Sequence, residues 1–182
     1  MNALRSIIFT EADLSNQTFI NAHGTAWGVP NRATWGVLND VFANMGGSGM
    51  TLGLIIAIFL VSKRKDYRAI AKLAFVPGLF NINEPLMFGL PLVLNPITFI
   101  PFIITPMVCV TIAYFATKAG LVPAATVMPP WVTPPIIGGI LATKSIAGGI
   151  LAAVNLAVST LIYAPFVIMA TMQEQQKEQS AK

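Results

Sequence analysis

Apolar positions in this sequence run in long unbroken stretches instead of alternating. Leu86 to Thr117 and Ile146 to Met172 contain no Asp, Glu, Lys or Arg. An α-helix needs about 20 apolar residues to cross a hydrocarbon core of roughly 30 Å. Three segments meet or approach that requirement and predict spanning helices: Gly46 to Val61, about Val93 to Thr117, and Ile146 to Met172. The first opens in the cluster Gly46-Gly-Ser-Gly49, where small residues permit close backbone approach to a neighbour. The second contains Pro96, Pro101 and Pro106, which predict a kink.

Two further apolar stretches are interrupted. Leu73 to Pro91 holds three prolines, two glycines, Asn81, Asn83 and one carboxylate, and four of the seven residues from Pro129 to Pro135 are proline. Interior proline costs a helix roughly 3 kcal/mol or more, and non-helical backbone at membrane depth survives only against protein or a wet cavity. Leu73 to Pro91 and Ala124 to Gly139 are therefore expected to be broken, re-entrant segments. Residues 1–45 are polar and aperiodic and read as loop with short helices. The fold class expected is an all-α membrane protein of about three spanning helices plus two re-entrant segments. Its parts are a loop-rich segment 1–45, a membrane domain 46–172 and a cytoplasmic tail 173–182.

Composition sharpens this reading. Charged residues are 10% of the chain, against roughly 25% in soluble domains, and the mean hydropathy is +0.71. The net charge of +4 does not point to nucleic acid, because Lys63, Arg64, Lys65, Arg68 and Lys72 crowd one short loop. That bias marks a cytoplasmic loop, and two crossings later the tail from Gln173 returns to the same side. Lys118 and Lys144 fall on the outer side. The single cysteine, Cys109, lies in an apolar run and supports neither a disulfide nor a paired-thiol metal site; no metal or cofactor is expected. The apolar patch Ile7-Ile-Phe9 is too short for a secretory signal. Gly46-Gly-Ser-Gly49 lacks the Lys-Ser/Thr of a phosphate-binding loop.

Glu84 is the only acidic residue between Asp66 and Glu174. A carboxylate in membrane-depth sequence is costly unless it faces water or polar partners, which makes it a functional candidate. With Asn81 and Asn83 beside it, a broken loop would carry the acceptors and donors that sugar hydroxyls require. The competing structural role is to cap the loop's own amides. Trp131, set among prolines, offers an indole that stacks on a pyranose face or anchors the chain at the membrane interface. His23 reads as an ordinary loop histidine.

The stretch Gly78-Leu-Phe-Asn-Ile-Asn-Glu-Pro-Leu-Met-Phe-Gly-Leu-Pro-Leu-Val-Leu-Asn-Pro96 resembles the Asn-Ile-Asn-Glu-Pro signature of the cellobiose/lactose (chitobiose) family of enzyme IIC, the membrane component of bacterial phosphotransferase systems. The resemblance reaches back to Gly46-Gly-Ser-Gly-Met-Thr-Leu-Gly53 and forward to Pro129-Pro-Trp-Val-Thr-Pro-Pro135 and Tyr163-Ala-Pro-Phe166, so it covers about residues 40 to 175. It implies group translocation at the bacterial inner membrane by a multi-pass subunit. This subunit would bind a disaccharide such as cellobiose while a cytoplasmic enzyme IIB, the phosphoryl donor, phosphorylates the sugar. Glu84 matches the family's sugar-contacting glutamate. Members of the family also have an upstream membrane half with a Gly-Ile-His-Gly segment, which His23 does not match. The chain therefore reads as the C-terminal half of an enzyme IIC, expected to be truncated, with the missing half or another enzyme IIC protomer as a partner. The alternative is a non-transporting membrane scaffold or regulatory remnant that associates with enzyme IIC or enzyme IIB.

Overall fold

A computed structural model describes residues 11, 14–16, 18–24, 28–31, 35–90, 92, 95–125 and 127–180. Among these no strand occurs, and the all-α class holds. The helices are α1 (Trp35–Phe42), α2 (Thr51–Val61), α3 (Lys65–Leu79), α4 (Glu84–Gly89), α5 (Pro96–Lys118), α6 (Pro135–Thr143) and α7 (Ile146–Ser180). The loop-rich N-terminal segment contributes α1 and a helical turn at 18–23, ended by Gly24 in the left-handed region. Asn16 donates to the Asn31 carbonyl at 2.8 Å and accepts from its N–H at 3.0 Å, closing that segment on itself.

Helices α5 and α7 are long and apolar enough to span, with 23 residues in α5 and a 28-residue stretch in α7, each containing an 18-residue window of mean hydropathy 2.0. Pro96, expected inside the span as a kink, instead opens α5 at its first position, and the Asn95 side chain accepts from Ile97 N–H at 3.0 Å, a proline entry combined with an N-cap. At its other end Gly120 turns left-handed and Leu121 N–H reaches back to the Ala116 carbonyl at 3.0 Å, satisfying a carbonyl the helix itself cannot. The segment expected to form a third span is different. Gly46 to Met50 form tight turns, with Gly46, Gly47, Gly49 and Met50 all at positive φ. Helix α2 therefore starts only at Thr51 and has 11 residues, about 16 Å of rise, near half a bilayer core. At the C-terminus α7 continues through residues read as a tail, as far as Ser180.

The sidedness of α5 is inverted relative to a helix in water. Its buried positions are Thr98, Pro101, Thr105, Cys109, Ala113 and Thr117, while Ile103, Ile104, Met107 and Phe115 are exposed. In water the large apolar side chains would face inward. Small and hydroxyl residues inside with bulky ones outside is the arrangement of helices packed in lipid.

Helix α7 is the pillar, packing against α2, α5 and α6. Asn155, Ser159 and Tyr163 recur every four residues and so share one face; all are at most 1% exposed. Asn155 Nδ2 donates to the carbonyls of Phe42 (2.9 Å) and Cys109 (3.1 Å), and the Tyr163 hydroxyl donates to the Gly49 carbonyl at 2.5 Å. Between them Ser159 presses on Gly53, where an added Cβ would lie 1.6 Å from Ser159 Oγ. Helices α6 and α7 meet through a sharp reversal at Lys144, φ 51°. A Cβ at Gly139 would stand 2.5 Å from the Gly148 carbonyl oxygen, so glycine is required for this approach.

Two apolar clusters flank the pillar. One gathers Leu38, Phe42, Met45, Cys109, Val122 and Leu151; the other gathers Leu54, Ile58, Tyr67, Leu86, Leu90 and Val167. The basic loop leads into α3, where Arg64 donates to both Asp66 carboxylate oxygens at 2.7 to 3.1 Å and thereby holds the Asp66 carboxyl below its ordinary value. Asp66 also stands in the first turn of α3, where negative charge suits the helix dipole.

Asn155→Leu leaves the Phe42 carbonyl without its donor and is expected to lower stability by about 1–3 kcal/mol, read as the unfolding midpoint of the purified protein. Gly53→Ala should destabilise by a similar ~1–3 kcal/mol through overpacking. Adding Ser159→Ala, which removes the nearest colliding atom, should recover part of that loss. Strict additivity of the two would refute the contact.

Candidate sugar-binding site

The first broken segment folds as the sequence dictates. Helix α3 carries Pro77 in its last turn, and the Pro77 carbonyl then accepts from both Phe80 N–H (2.9 Å) and Ile82 N–H (3.1 Å). Asn81 occupies the left-handed region at φ 62°, which asparagine tolerates better than most residues. The chain re-enters helix at Glu84 with Pro85 behind it, and Leu86 fixes the short α4 by full burial.

Asn81 is a knot. Its Nδ2 donates to the carbonyls of Trp131 (2.5 Å) and Thr133 (3.1 Å), and its Oδ1 accepts from Gly46 N–H at 2.8 Å. One amide thus ties together the glycine loop and both broken segments. Asn83 adds a second tie, donating to the Ser48 carbonyl at 3.2 Å. Gly47 fits beneath it, since a Cβ there would lie 2.8 Å from Asn83 Cγ. The Thr51 hydroxyl donates to the Gly46 carbonyl and closes the loop from the α2 side.

Glu84 stands at the head of α4, exposed, with no side-chain hydrogen bond or ion pair among the described residues. It is not capping its own loop; the two asparagines do that holding. Trp131 is 67% exposed, its indole presented by a turn whose carbonyl Asn81 grips. Beside it opens a cleft of about 50 Å³ bordered by Asp40, Asn81, Met128, Pro130, Trp131 and Thr133. Sites that enclose a small ligand measure roughly 300–1,000 Å³, so this cleft by itself is too small to enclose a sugar. No group of three or more metal-ligating side chains occurs among the described residues.

All four residues singled out from the sequence therefore lie on one knotted region: Asn81, Asn83 and Glu84 on the first broken segment and Trp131 on the second. Their tasks differ, since Asn81 and Asn83 direct their amides to backbone while Glu84 and the Trp131 indole face outward. The nearness of Asp40 to the cleft beside Trp131 was not legible, because only the fold brings them together. Nor were Asn155 and Tyr163, buried polar residues in a run that reads as uniformly apolar. Their spacing of four residues on either side of Ser159 was the available signal. His23 lies in the helical turn rather than a loop, stacked on Phe19 at 4.1 Å.

Comparison with known proteins converges on one family. The model of the family "Phosphotransferase system, EIIC" matches residues 5–106. The cellobiose-specific EIIC component of Lactococcus lactis subsp. lactis (strain IL1403) is 48% identical over 145 residues, covering 79% of this chain and 28% of that protein. The lichenan permease IIC component of Bacillus subtilis (strain 168) is 45% identical over 141 residues, covering 76% and 31%. The crystal structure of the transporter ChbC, the IIC component of the N,N'-diacetylchitobiose-specific phosphotransferase system, superposes with a TM-score of 0.85 at 35% identity, over 94% of this chain and 39% of that one. The chain thus spans about three-tenths of the length of these curated relatives.

Asn81→Ala is expected to destabilise the protein by about 1–3 kcal/mol through lost hydrogen bonds, plus about 1–2 kcal/mol for the left-handed backbone. Asn81→Gly should restore the second part only. Equal unfolding midpoints for the two variants would show that the backbone term is absent.

Proposed function

Because the chain belongs to the phosphotransferase system EIIC family, we propose that it is the sugar-contacting part of a membrane permease that binds a disaccharide of the cellobiose type and passes it on as it is phosphorylated. The observation that carries this reading is Glu84, an exposed carboxylate without a side-chain partner among the described residues, held at the head of α4 within the region that presents Trp131. Such a carboxylate accepts from sugar hydroxyls, and an indole supplies the apolar plate on which a pyranose face stacks.

In the proposed reaction the phosphoryl donor is the cysteine of a cytoplasmic enzyme IIB. A sugar hydroxyl oxygen attacks phosphorus, the O–P bond forms as the S–P bond breaks, the thiolate departs on enzyme IIB, and the hydroxyl proton passes to Glu84 as general base. Asn81 and Asn83 act as positioning residues, fixing the backbone from which Glu84 projects. Cys109 takes no part, being buried between α5 and α7. The rest of the cavity comes from the upstream membrane half of an enzyme IIC or from another protomer. The protein is placed in the bacterial inner membrane with the loop around Lys65 and the start of the tail at Gln173 in the cytoplasm. Two spanning helices, α5 and α7, separate them, which agrees with the charge bias and sets Lys144 outside.

Glu84→Gln keeps the size and loses the charge. In membranes containing the chain co-expressed with the upstream portion of a full-length relative and supplied with enzyme IIB, it should reduce cellobiose phosphorylation by at least about a hundredfold with an unchanged unfolding midpoint. Parental activity in the variant would return Glu84 to a structural role. In a Cys109→Ala background, an impermeant thiol reagent added to intact cells should label Lys144→Cys but neither Lys65→Cys nor Gln173→Cys. Labelling of either of the last two from outside would invert the topology.

A further inference from the structure

Helix α5 carries on its outer face a feature that neither the packing nor the proposed reaction uses. Ile104, Met107, Val108, Thr111 and Ile112 line a groove of about 350 Å³. These positions recur every three or four residues and so share one side of the helix, away from the small and hydroxyl positions that are buried within the fold. The lining is apolar apart from one hydroxyl, and that hydroxyl is already engaged: Thr111 Oγ1 donates to the Met107 carbonyl at 2.8 Å. A polar ligand finds nothing to bond there.

The walls also speak against a second helix. Helices in lipid associate through small residues that let backbones approach, and α5 turns its small residues inward. Outward it presents branched and long side chains, with Met107 64% and Ile104 44% exposed. A flexible hydrocarbon chain fits between such side chains where a helix backbone does not.

The groove leads to a cation. The same stripe continues through Tyr114 and Phe115 to Lys118, the last residue of α5. Lys118 Nζ lies over the Tyr114 ring, 5.6 Å from its centroid, and Tyr114 meets Phe115 edge-on at 5.5 Å. The helix dipole favours a cation in this turn but does not choose the side on which it stands. Tyrosine is a residue of the boundary between headgroups and acyl chains. From Lys118 to Ile104 the helix rises about 21 Å, which matches one leaflet with its headgroup layer, about 20–22 Å. Cation, aromatic pair and groove therefore fall at the depths of a phospholipid's phosphate, glycerol and acyl chain.

We infer that α5 carries a binding site for one anionic phospholipid, with the phosphate paired to Lys118 and an acyl chain seated in the groove at Met107. The site requires α5 to lie in a bilayer and is independent of the sugar-binding reading.

Native mass spectrometry of the purified chain, with phosphatidylglycerol or phosphatidylcholine of identical acyl chains added, tests the site. The parent should bind phosphatidylglycerol roughly fivefold more tightly, the effect of one lysine on an anionic lipid. Lys118→Gln should erase that preference and leave phosphatidylcholine binding as it was. Lys144→Gln, which removes an exposed lysine at the reversal between α6 and α7, should retain it. Met107→Trp should fill the groove and weaken binding of both lipids, and circular dichroism should show all three variants as helical as the parent. Equal binding of the two lipids by the parent, a preference that survives Lys118→Gln or is lost in Lys144→Gln, or unchanged binding in Met107→Trp would each overturn the site. So would a dimer of the chain that phosphatidylglycerol fails to displace and Met107→Trp abolishes, since the groove would then seat a second copy.

Discussion

The three hydrogen bonds of the Asn81 side chain hold the site in place. Backbone that leaves the helix at membrane depth has no water to satisfy it, and each orphaned group there costs several kcal/mol. This protein breaks its helices at the glycine loop and at both proline-rich segments, and joins the three breaks through one amide. Asn83, Thr51 and Tyr163 add hydrogen bonds to Ser48, Gly46 and Gly49. With these bonds made, irregular backbone becomes a fixed platform, and the side chains of Glu84 and Trp131 acquire defined positions without taking part in the bonding.

Much of the fold was legible in the sequence because lipid imposes a coarse rule. A run without charge such as Ile146 to Met172 has no alternative to a helix, and the prolines around Pro77 and Pro129 to Pro135 announce where helices fail. The length of α2 was not legible. Hydropathy counts Gly46 to Met50 as apolar or neutral, whereas the structure uses four of these five residues for their positive φ, and glycine's conformational freedom is invisible to a hydropathy average. The sequence also marked α5 as a long apolar helix without revealing which face was inside, since large and small apolar residues look alike on that scale.

The site was half legible for a related reason. Glu84 stood out because a lone acid in apolar sequence is expensive. Asn81 and Asn83 stood out with it, but residue type alone does not distinguish an amide that meets a ligand from one that meets backbone. The hydrogen bonds make that distinction here. Asp40 was hidden by its setting among other polar residues, where a carboxylate attracts no notice until the fold sets it against Trp131.

The Tyr163 hydroxyl bond to the Gly49 carbonyl has a mechanical consequence. Helix α7 runs from Ile146 to Ser180 with Pro165 inside it, and Tyr163 clamps its middle to the glycine loop, which is bonded onward through Gly46 to Asn81. The position of the segment that carries the carboxylate is thereby tied to the axial position of α7: the hydroxyl bond holds the helix to the loop, and the loop is held to Asn81.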